Sequence, residues 1–588
     1  MPHQIKKQLG VTCYRHSAFF RVWAPFAQRV ELSGTFSEHR ITLESEQDGY
    51  WSTEVEGAKP GHMYKYHLTT LDGDELERND PRARAITSSD KGFSVIVGND
   101  FDWTDEGFIP ASREHQIIYE MHVGTFNRVD PATPGTFDSA IEKLDYLKEL
   151  GVTMIELMPV TSMAFSNGWG YAPNYIYSVE SMLGGRHGLM KFVNACHNRG
   201  IGVILDVVYN HFYPDTDLWQ FDGWHENNRG GIYFYNDERG DTPWGGRPDY
   251  GRAEVRQFIL DNIVMWINEY HIDGLRIDST IYMRNTEGKD NNPSFDIGDA
   301  WQLLSDITET AKKIKPYSIL IAEDAASNDF ITKSSAEDGC GFDAQWELGF
   351  PHAIRQGLGL SDSPQNLDFL ITELELTYNG DAYARIIFAD SHDTAANGSV
   401  RLNEAVSPNR SSDRDARQKS LLAATITMTS PGVPMILQGA EFLQAGAFND
   451  WQELQWENTS KFSGIVDAHR HLIHLRQNRY RNTVGLTGEG VEILHHDTTN
   501  NVITYRRYTS HKPEDDVVVI ANFSDKHFST YDARFPRNSK WIVRFNSTWK
   551  GYSADFPEVT LPTLNVDNNC VATIELAPYS AYILSEEK

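Results

Sequence analysis

Cysteine is scarce: the 588 residues hold four, Cys13, Cys196, Cys340 and Cys570, with no paired spacing. That excludes a disulfide framework and a thiolate metal cluster, and it suits a reducing, cytoplasmic setting. No apolar run reaches the roughly 18–20 residues of a membrane span. The opening MPHQIKKQLGVTCYRHSAFF lacks the apolar stretch and small-residue cleavage site of an export leader. Neither HExxH nor CxxC occurs, so no motif supports a metal site, and no cofactor is implied. Internal repeats and low-complexity tracts are missing too. Basic residues are in deficit, with 53 Lys and Arg against 82 Asp and Glu, a formal charge of −29. Such a balance argues against nucleic acid and anionic membranes as partners and leaves the oligomeric state open.

What is present is ordinary for a folded chain: 40% hydrophobic, 12% aromatic and 23% charged residues, over a length that suggests several domains. Residues 15–100 read as short alternating strands (FFRVWAP, RVELSG, GYWSTEV, HMYKYHLTT) punctuated by Gly and Pro, the pattern of a small β-sandwich. A polar, aperiodic stretch, TDEGFIPASREH, reads as a linker. From residue 116 short apolar runs alternate with amphipathic helical segments. The runs are IIYEMHV, VTMIELMPV, IGVILDVVYN, HIDGLRIDS, SILIAED, GFDAQW, ARIIFADSHD and VPMILQG. Apolar strands of this kind suit burial on both faces, hence a parallel sheet. Eight of them over about 360 residues predict an α/β chain with a (β/α)8 barrel. From about 490 short strands return, predicting an antiparallel C-terminal domain. The expected division is a β-sandwich over 1–103, the barrel over 104–485 with an aromatic-rich loop around 212–250, and an all-β domain over 486–588.

In such a barrel the catalytic groups lie at the C-terminal ends of the strands. The third strand ends in Asp206, Asn210 and His211, the fourth in Arg276 and Asp278, the fifth in Glu323, the seventh in His392 and Asp393. A retaining glycosidase needs one ionised carboxylate as nucleophile and one protonated carboxyl as acid. Arg276 lies two residues before Asp278, and strand alternation turns both to one side, where the cation favours an ionised Asp278. Glu323 among other carboxylates suits the acid. Asp393 can bind sugar hydroxyls and balance oxocarbenium charge, and His211 and His392 can donate hydrogen bonds to hydroxyls. Asp206 reads as a supporting residue that orients its neighbours. Any one strand-end acid is as readily a helix cap or a loop ion pair. Trp169 and Tyr171 are core aromatics or stacking platforms. The joint occurrence, in order on successive strands, favours catalysis.

DVVYNH (206–211), GLRIDS (274–279), IAED (321–324) and FADSHD (388–393) resemble, in order, the four signature regions of glycoside hydrolase family 13, the α-amylase superfamily. Residues 15–100 are similar to the starch-binding β-sandwich that precedes the barrel in some members. The resemblance implies Asp278 as nucleophile, Glu323 as general acid/base and Asp393 as transition-state stabiliser. It implies that Arg276 holds Asp278 ionised and that His211, His392 and the Tyr171 of WGYAP contact the bound sugar. Asp206 and Asn210 would support them, and with Arg276 they are counted among the expected substrate-binding residues. TSPGVPMILQGAEF and Ser391 resemble 1,4-α-glucan branching enzymes, whereas Asp324 and Thr394 stand where those enzymes commonly carry Glu.

The leading expectation is therefore a branching enzyme that cleaves an α-1,4 bond in a glucan or malto-oligosaccharide and transfers the chain to a 6-hydroxyl. The alternatives are a hydrolase, such as a malto-oligosyltrehalose trehalohydrolase or an amylase-like enzyme, and a non-catalytic glucan-binding protein, although the latter would not keep all three carboxylates. Trp219, Trp224, Tyr233, Tyr235 and Trp244 either line acceptor subsites or pack their loop onto the barrel.

Overall fold

The eight apolar runs pair side by side in parallel and close on themselves. The computed structural model describes residues 8–88, 92–164, 168–510 and 512–587. Residues 1–7, part of the stretch read for a leader, lie outside it. The strands are β1 (Ile118–Met121), β2 (Met154–Leu157), β3 (Gly202–Val207), β4 (Gly274–Ile277), β5 (Ile319–Ala322), β6 (Ala344–Trp346), β7 (Arg385–Phe388) and β8 (Val433–Leu437). Every residue in them is buried, as a sheet covered on both faces requires. Pairing of Ile118 with Met435 closes the ring between β1 and β8.

Helices cover the outside, and their apolar stripes are those that the 3.6-residue spacing predicts. In α1 (Gly185–His197), Leu189, Phe192, Val193 and Cys196 are buried. In α2 (Ala253–Glu269), Val255, Phe258, Ile259, Ile263 and Trp266 are buried. The parallel register sets Asp206 of β3 directly beside Arg276 of β4, which brings a carboxylate and a guanidinium together at the rim.

Before the barrel lie two antiparallel sheets. One runs Gly10–Cys13, Ser17–Trp23, Tyr50–Glu56, Glu44–Ser45; the other is built on Arg29–Gly34 and Met63–Thr69. After the barrel, Gly490–Asp497, Val502–Tyr508, Val517–Asn522, Ser580–Glu586 and Lys540–Asn546 form the greater part of a six-stranded antiparallel sheet. Among the described residues no helix is long and apolar enough to cross a membrane.

The segment read as a linker is pinned along its length. Asp105 accepts hydrogen bonds from His197 (2.7 Å) and His271 (2.8 Å), and Phe108 stacks on the His197 ring at 4.2 Å. His197 also reaches Asp273, just before β4, at 2.8 Å, so the segment is clamped to the bottom of the barrel.

The aromatic loop after β3 is a strut between the barrel and the N-terminal sheets. Trp224 stacks on Phe26 at 4.6 Å and 12°, and Tyr233 meets Trp23 edge to face at 5.6 Å. Asp222 accepts the Phe26 N–H at 2.9 Å, and Arg78 donates to the carbonyls of Gln220 and Phe221. Trp219 packs on Phe234 and Tyr235 on Tyr250. Trp219 and Trp224 are half-buried, packed against the loop and the N-terminal sheet, and neither lines the cleft between the strand ends. Trp244 differs. A Cβ at the next residue, Gly245, would sit 1.9 Å from the Phe212 carbonyl oxygen, so only glycine permits the close turn that sets the Trp244 ring 5.5 Å from His211.

If the strut joins the two parts energetically, Phe26→Ala and Trp224→Ala are not additive. A double-mutant cycle by chemical denaturation is expected to give a coupling of about 0.5–1.5 kcal/mol. Simple additivity would show that the stack contributes nothing across the junction.

Candidate active site

Arg276 is the centre of the rim. Its side chain is fully buried, and one nitrogen, Nη1, donates to both oxygens of Asp206 (2.9 and 2.8 Å) and to Oδ1 of Asp278 (2.7 Å). Its Nη2 lies 3.7 Å from Glu323. The guanidinium rests 4.4 Å above the Trp346 ring at the end of β6, a cation–π contact that fixes the fork in place. Arginine suits this position because it stays charged when buried and serves several acceptors in one plane. Burial raises the Asp206 pKa to about 6 against the lowering pull of Arg276, and Tyr171 donates its hydroxyl to Asp206 at 2.5 Å.

Asp278 is oriented from its other side. Asn210 donates to Asp278 Oδ2 at 2.7 Å and to its carbonyl at 2.9 Å. The His211 ring fixes that amide through a 2.5 Å contact with Asn210 Oδ1, and its Nε2 faces the Tyr171 carbonyl at 2.9 Å. The next residue, Ser279, has φ of 44°, a left-handed conformation costly for a non-glycine residue. In that conformation its N–H points at Glu323 Oε2, 2.7 Å away. Backbone strain at β4 thus positions the carboxyl of β5.

Burial is the largest influence on Glu323, and the negative charges of Asp278 and Asp393 add to it; Arg276 opposes them. The result is a carboxyl pushed up to about 7. Such a group holds its proton near neutrality and can give it away.

His392 is set up in the opposite sense. Its ring Nδ1 meets Glu120 Oε1 at 2.5 Å and its backbone N–H donates to Glu120 Oε2 at 2.9 Å. Burial disfavours the imidazolium, but Asp393 and Glu120 outweigh it and raise the pKa to about 9. The cation stacks against Tyr171 at 5.1 Å and lies 3.5 Å from Asp393, whose side chain is 44% exposed.

A cleft of about 390 Å³ opens over these groups, and Tyr171, His211, Asp278, Glu323, His392 and Asp393 all line it. Arg276, Asp206 and Asn210 were expected among the substrate contacts. They are 0%, 2% and 0% exposed and lie beneath the floor, holding the carboxylates rather than lining the cleft. Sequence reasoning missed Glu120, although it sits near the end of the first strand and the strand-end rule covers it. It also missed Trp346, the Ser279 backbone and Tyr282, which lines the cleft 4.8 Å from the Trp244 ring; no sequence signal marks a left-handed serine. Trp169 lines the cleft beside His392. Among the described residues no group of three or more His, Cys, Asp or Glu could hold a metal ion.

A closed parallel barrel whose strand ends gather carboxyl groups and one buried arginine under an open cleft defines a (β/α)8-barrel protein built for acid–base and nucleophilic work. Sequence comparison narrows the class. The alpha amylase catalytic domain matches residues 120–248 and 222–479, carbohydrate-binding module 48 (the isoamylase N-terminal domain) matches 8–83, and the alpha amylase C-terminal all-beta domain matches 493–587. The chain belongs to the α-amylase family, glycoside hydrolase family 13, and is an enzyme of that family.

Among its relatives, a malto-oligosyltrehalose trehalohydrolase of Saccharolobus solfataricus is 33% identical over 73% of this chain and 74% of its own. A 1,4-alpha-glucan branching enzyme of Fusobacterium nucleatum is 28% identical over 94% of this chain and 91% of its own. A pullulanase from Anoxybacillus sp. LM18-11, solved with maltotetraose, shares the fold at a TM-score of 0.78 and 20% identity, covering 99% of this chain and 87% of that one.

Two outcomes follow from the charges. If the proton on Glu323 is needed, kcat/KM falls as pH rises through about 7, because the raised pKa keeps the acid form below that point and releases it above. A profile that stays flat through that region, with chemistry rate-limiting, would contradict the assignment. Glu120→Gln removes one of the two charges that raise His392. Its ring pKa, read by NMR titration, is then expected to drop from about 9 toward the unperturbed value of about 6.5. An unmoved titration would show that Glu120 does not hold the proton there.

Proposed function

We propose that the protein is a retaining α-glucan enzyme, a 1,4-α-glucan branching enzyme that uses Asp278 as nucleophile, Glu323 as acid/base and Asp393 as stabiliser. The observation that carries the reading is the single buried guanidinium between Asp206, Asp278 and Glu323, beneath a cleft open to solvent. Arg276 donates to Asp278 Oδ1, and Asn210 aims the carboxylate from its other oxygen. Glu323, which carries its proton below about pH 7, donates it to the glycosidic oxygen as the C1–O bond breaks and the Asp278 carboxylate bonds to C1. The second half reverses this: an acceptor hydroxyl attacks C1, gives its proton to Glu323 and releases Asp278. Asp393 and the His392 cation beside it suit the hydroxyls of the sugar at C1, and Tyr171 offers an aromatic edge to that ring.

Support for transfer comes from the branching-enzyme relative, which aligns with nearly the whole chain, and from Ser391 and the GAEF segment at 439–442. The segment's Glu441 is buried and accepts from Tyr119 and Tyr146 at 3.1 Å each, behind the barrel rather than in the cleft. Asp324 likewise turns away, paired with Arg284 at 2.9 Å and fully buried. Neither Asp324 nor Thr394, the two departures from the branching pattern, lines the cleft. Hydrolysis is the second reading, favoured by the trehalohydrolase relative at 33% identity. The four free cysteines support a cytoplasmic location, and the carbohydrate-binding match at 8–83 supports a glucan partner.

Incubation with amylose separates the readings. Transfer produces α-1,6 linkages by proton NMR with few new reducing ends; reducing ends without α-1,6 linkages would establish hydrolysis. Asp278→Asn is expected to lower turnover about a thousandfold or more, a loss of about 4 kcal/mol, with the circular dichroism spectrum unchanged. Retention of more than about a tenth of turnover would remove Asp278 from the nucleophile's place.

A further inference from the structure

Beside the cleft a second depression of about 620 Å³ runs along the outside of the rim. Its floor and walls include two aromatic rings, Trp301 and Phe330, with Gln302, Glu309, Asn328 and Asp338 around them. Phe330 is 49% exposed, and the Lys333 ammonium lies 5.1 Å from its ring centre. Trp301 belongs to α3 (Gly298–Ile314) and lies 4.7 Å under the guanidinium of Arg284. Arg284 is in turn anchored to Asp324, the residue after Glu323. The groove is therefore tied mechanically to the strand that carries the acid.

It also draws on the same two loops as the cleft. Gly288 and Ala325 line the cleft, while Asp296 and Asn328, on the same loops, line the groove. A hydrogen bond of 2.6 Å from Asn328 to Asp290 forms the saddle between them. Glu323, as proton donor, must face the leaving-group oxygen, so the loop that follows it flanks the leaving-group and acceptor side. Partly exposed aromatic rings, each with a cation over one side, bordered by amide and carboxylate acceptors, match the chemistry of a neutral polyol, whose apolar sugar faces stack and whose hydroxyls donate.

We infer that this groove binds an α-glucan chain as it leaves the cleft on the acceptor side, with Phe330 and Trp301 as stacking surfaces and Gln302, Glu309 and Asp338 as hydrogen-bonding groups. The inference rests on the glucan reading given above. It means that long chains are held at two places and short ones at the cleft alone, so the site favours polymeric over short substrates.

The test is Phe330→Ala, an exposed change away from the groups assigned to chemistry, with Glu309→Ala as a second variant. For Phe330→Ala, KM for amylose is expected to rise about threefold to tenfold, while kcat/KM for maltotetraose stays at the wild-type value. Retardation in an amylose-containing native gel is expected to weaken in the same variant. Unchanged amylose KM and unchanged retardation in both folded variants would overturn the groove. A parallel loss on maltotetraose would also overturn it, by showing a general defect. Should the wild type cleave no α-glucan at all, the functional reading fails by itself. The gel then decides the groove alone: retardation that depends on Phe330 keeps it, and retardation that does not removes it.

Discussion

One buried cation organises the rim. Arg276 is removed from water at a cost that only close acceptors can offset, and the structure supplies Asp206 and Asp278 within 3 Å and Glu323 just beyond. Its place is set by parallel register, which puts Asp206 beside it, and by strand alternation, which turns Asp278 to the same side. Removing the guanidinium would leave neighbouring carboxyls to share protons at low dielectric, with no cation to fix which of them holds one. The proposed division of labour between nucleophile and acid is built around that single group.

The rest of the site protects the arrangement. Trp346 supports the guanidinium from below, Asn210 and His211 fix Asp278 from the side, and the left-handed Ser279 ties Glu323 to the neighbouring strand. Glu120 keeps a second cation, His392, near Asp393. Each support lies beneath or beside the cleft, so the surface left for substrate is aromatic and acidic with one histidine cation. This polarity is consistent with a neutral sugar ring passing through positive charge at C1.

Much of the architecture was legible because its signals are local. Short apolar runs such as ILIA and RIIF, spaced by amphipathic helices, carry the barrel in their pattern. Leu189, Phe192, Val193 and Cys196 announce their helix face in the same way. The gathering of Asp278, Glu323 and Asp393 at one cleft was legible because barrel geometry gives strand ends a meaning. The fates of the aromatic residues after β3 were not legible. Whether Trp224 faces a sugar or Phe26 depends on a contact between segments about 200 residues apart, and composition holds no record of it. The hairpin of Thr161–Met163 with Pro173–Val179, which carries Tyr171 to the cleft in its connection, also escaped notice because its strands are short and irregular in register. Glu120 is the reverse case, a residue that the rule covered and the reading passed over.

The central claim is that Asp278 forms the covalent bond to the sugar while Arg276, hydrogen-bonded to it at 2.7 Å, holds it in place. Incubation with a fluorinated α-glucosyl fluoride, which forms the glycosyl ester quickly and hydrolyses slowly, followed by proteolysis and mass spectrometry, tests it most directly. The account predicts one glycosyl unit on the peptide containing Asp278, accumulating in the wild type and absent in Arg276→Met at the same pH. An adduct on another carboxylate, or an equal yield of ester without Arg276, would contradict it.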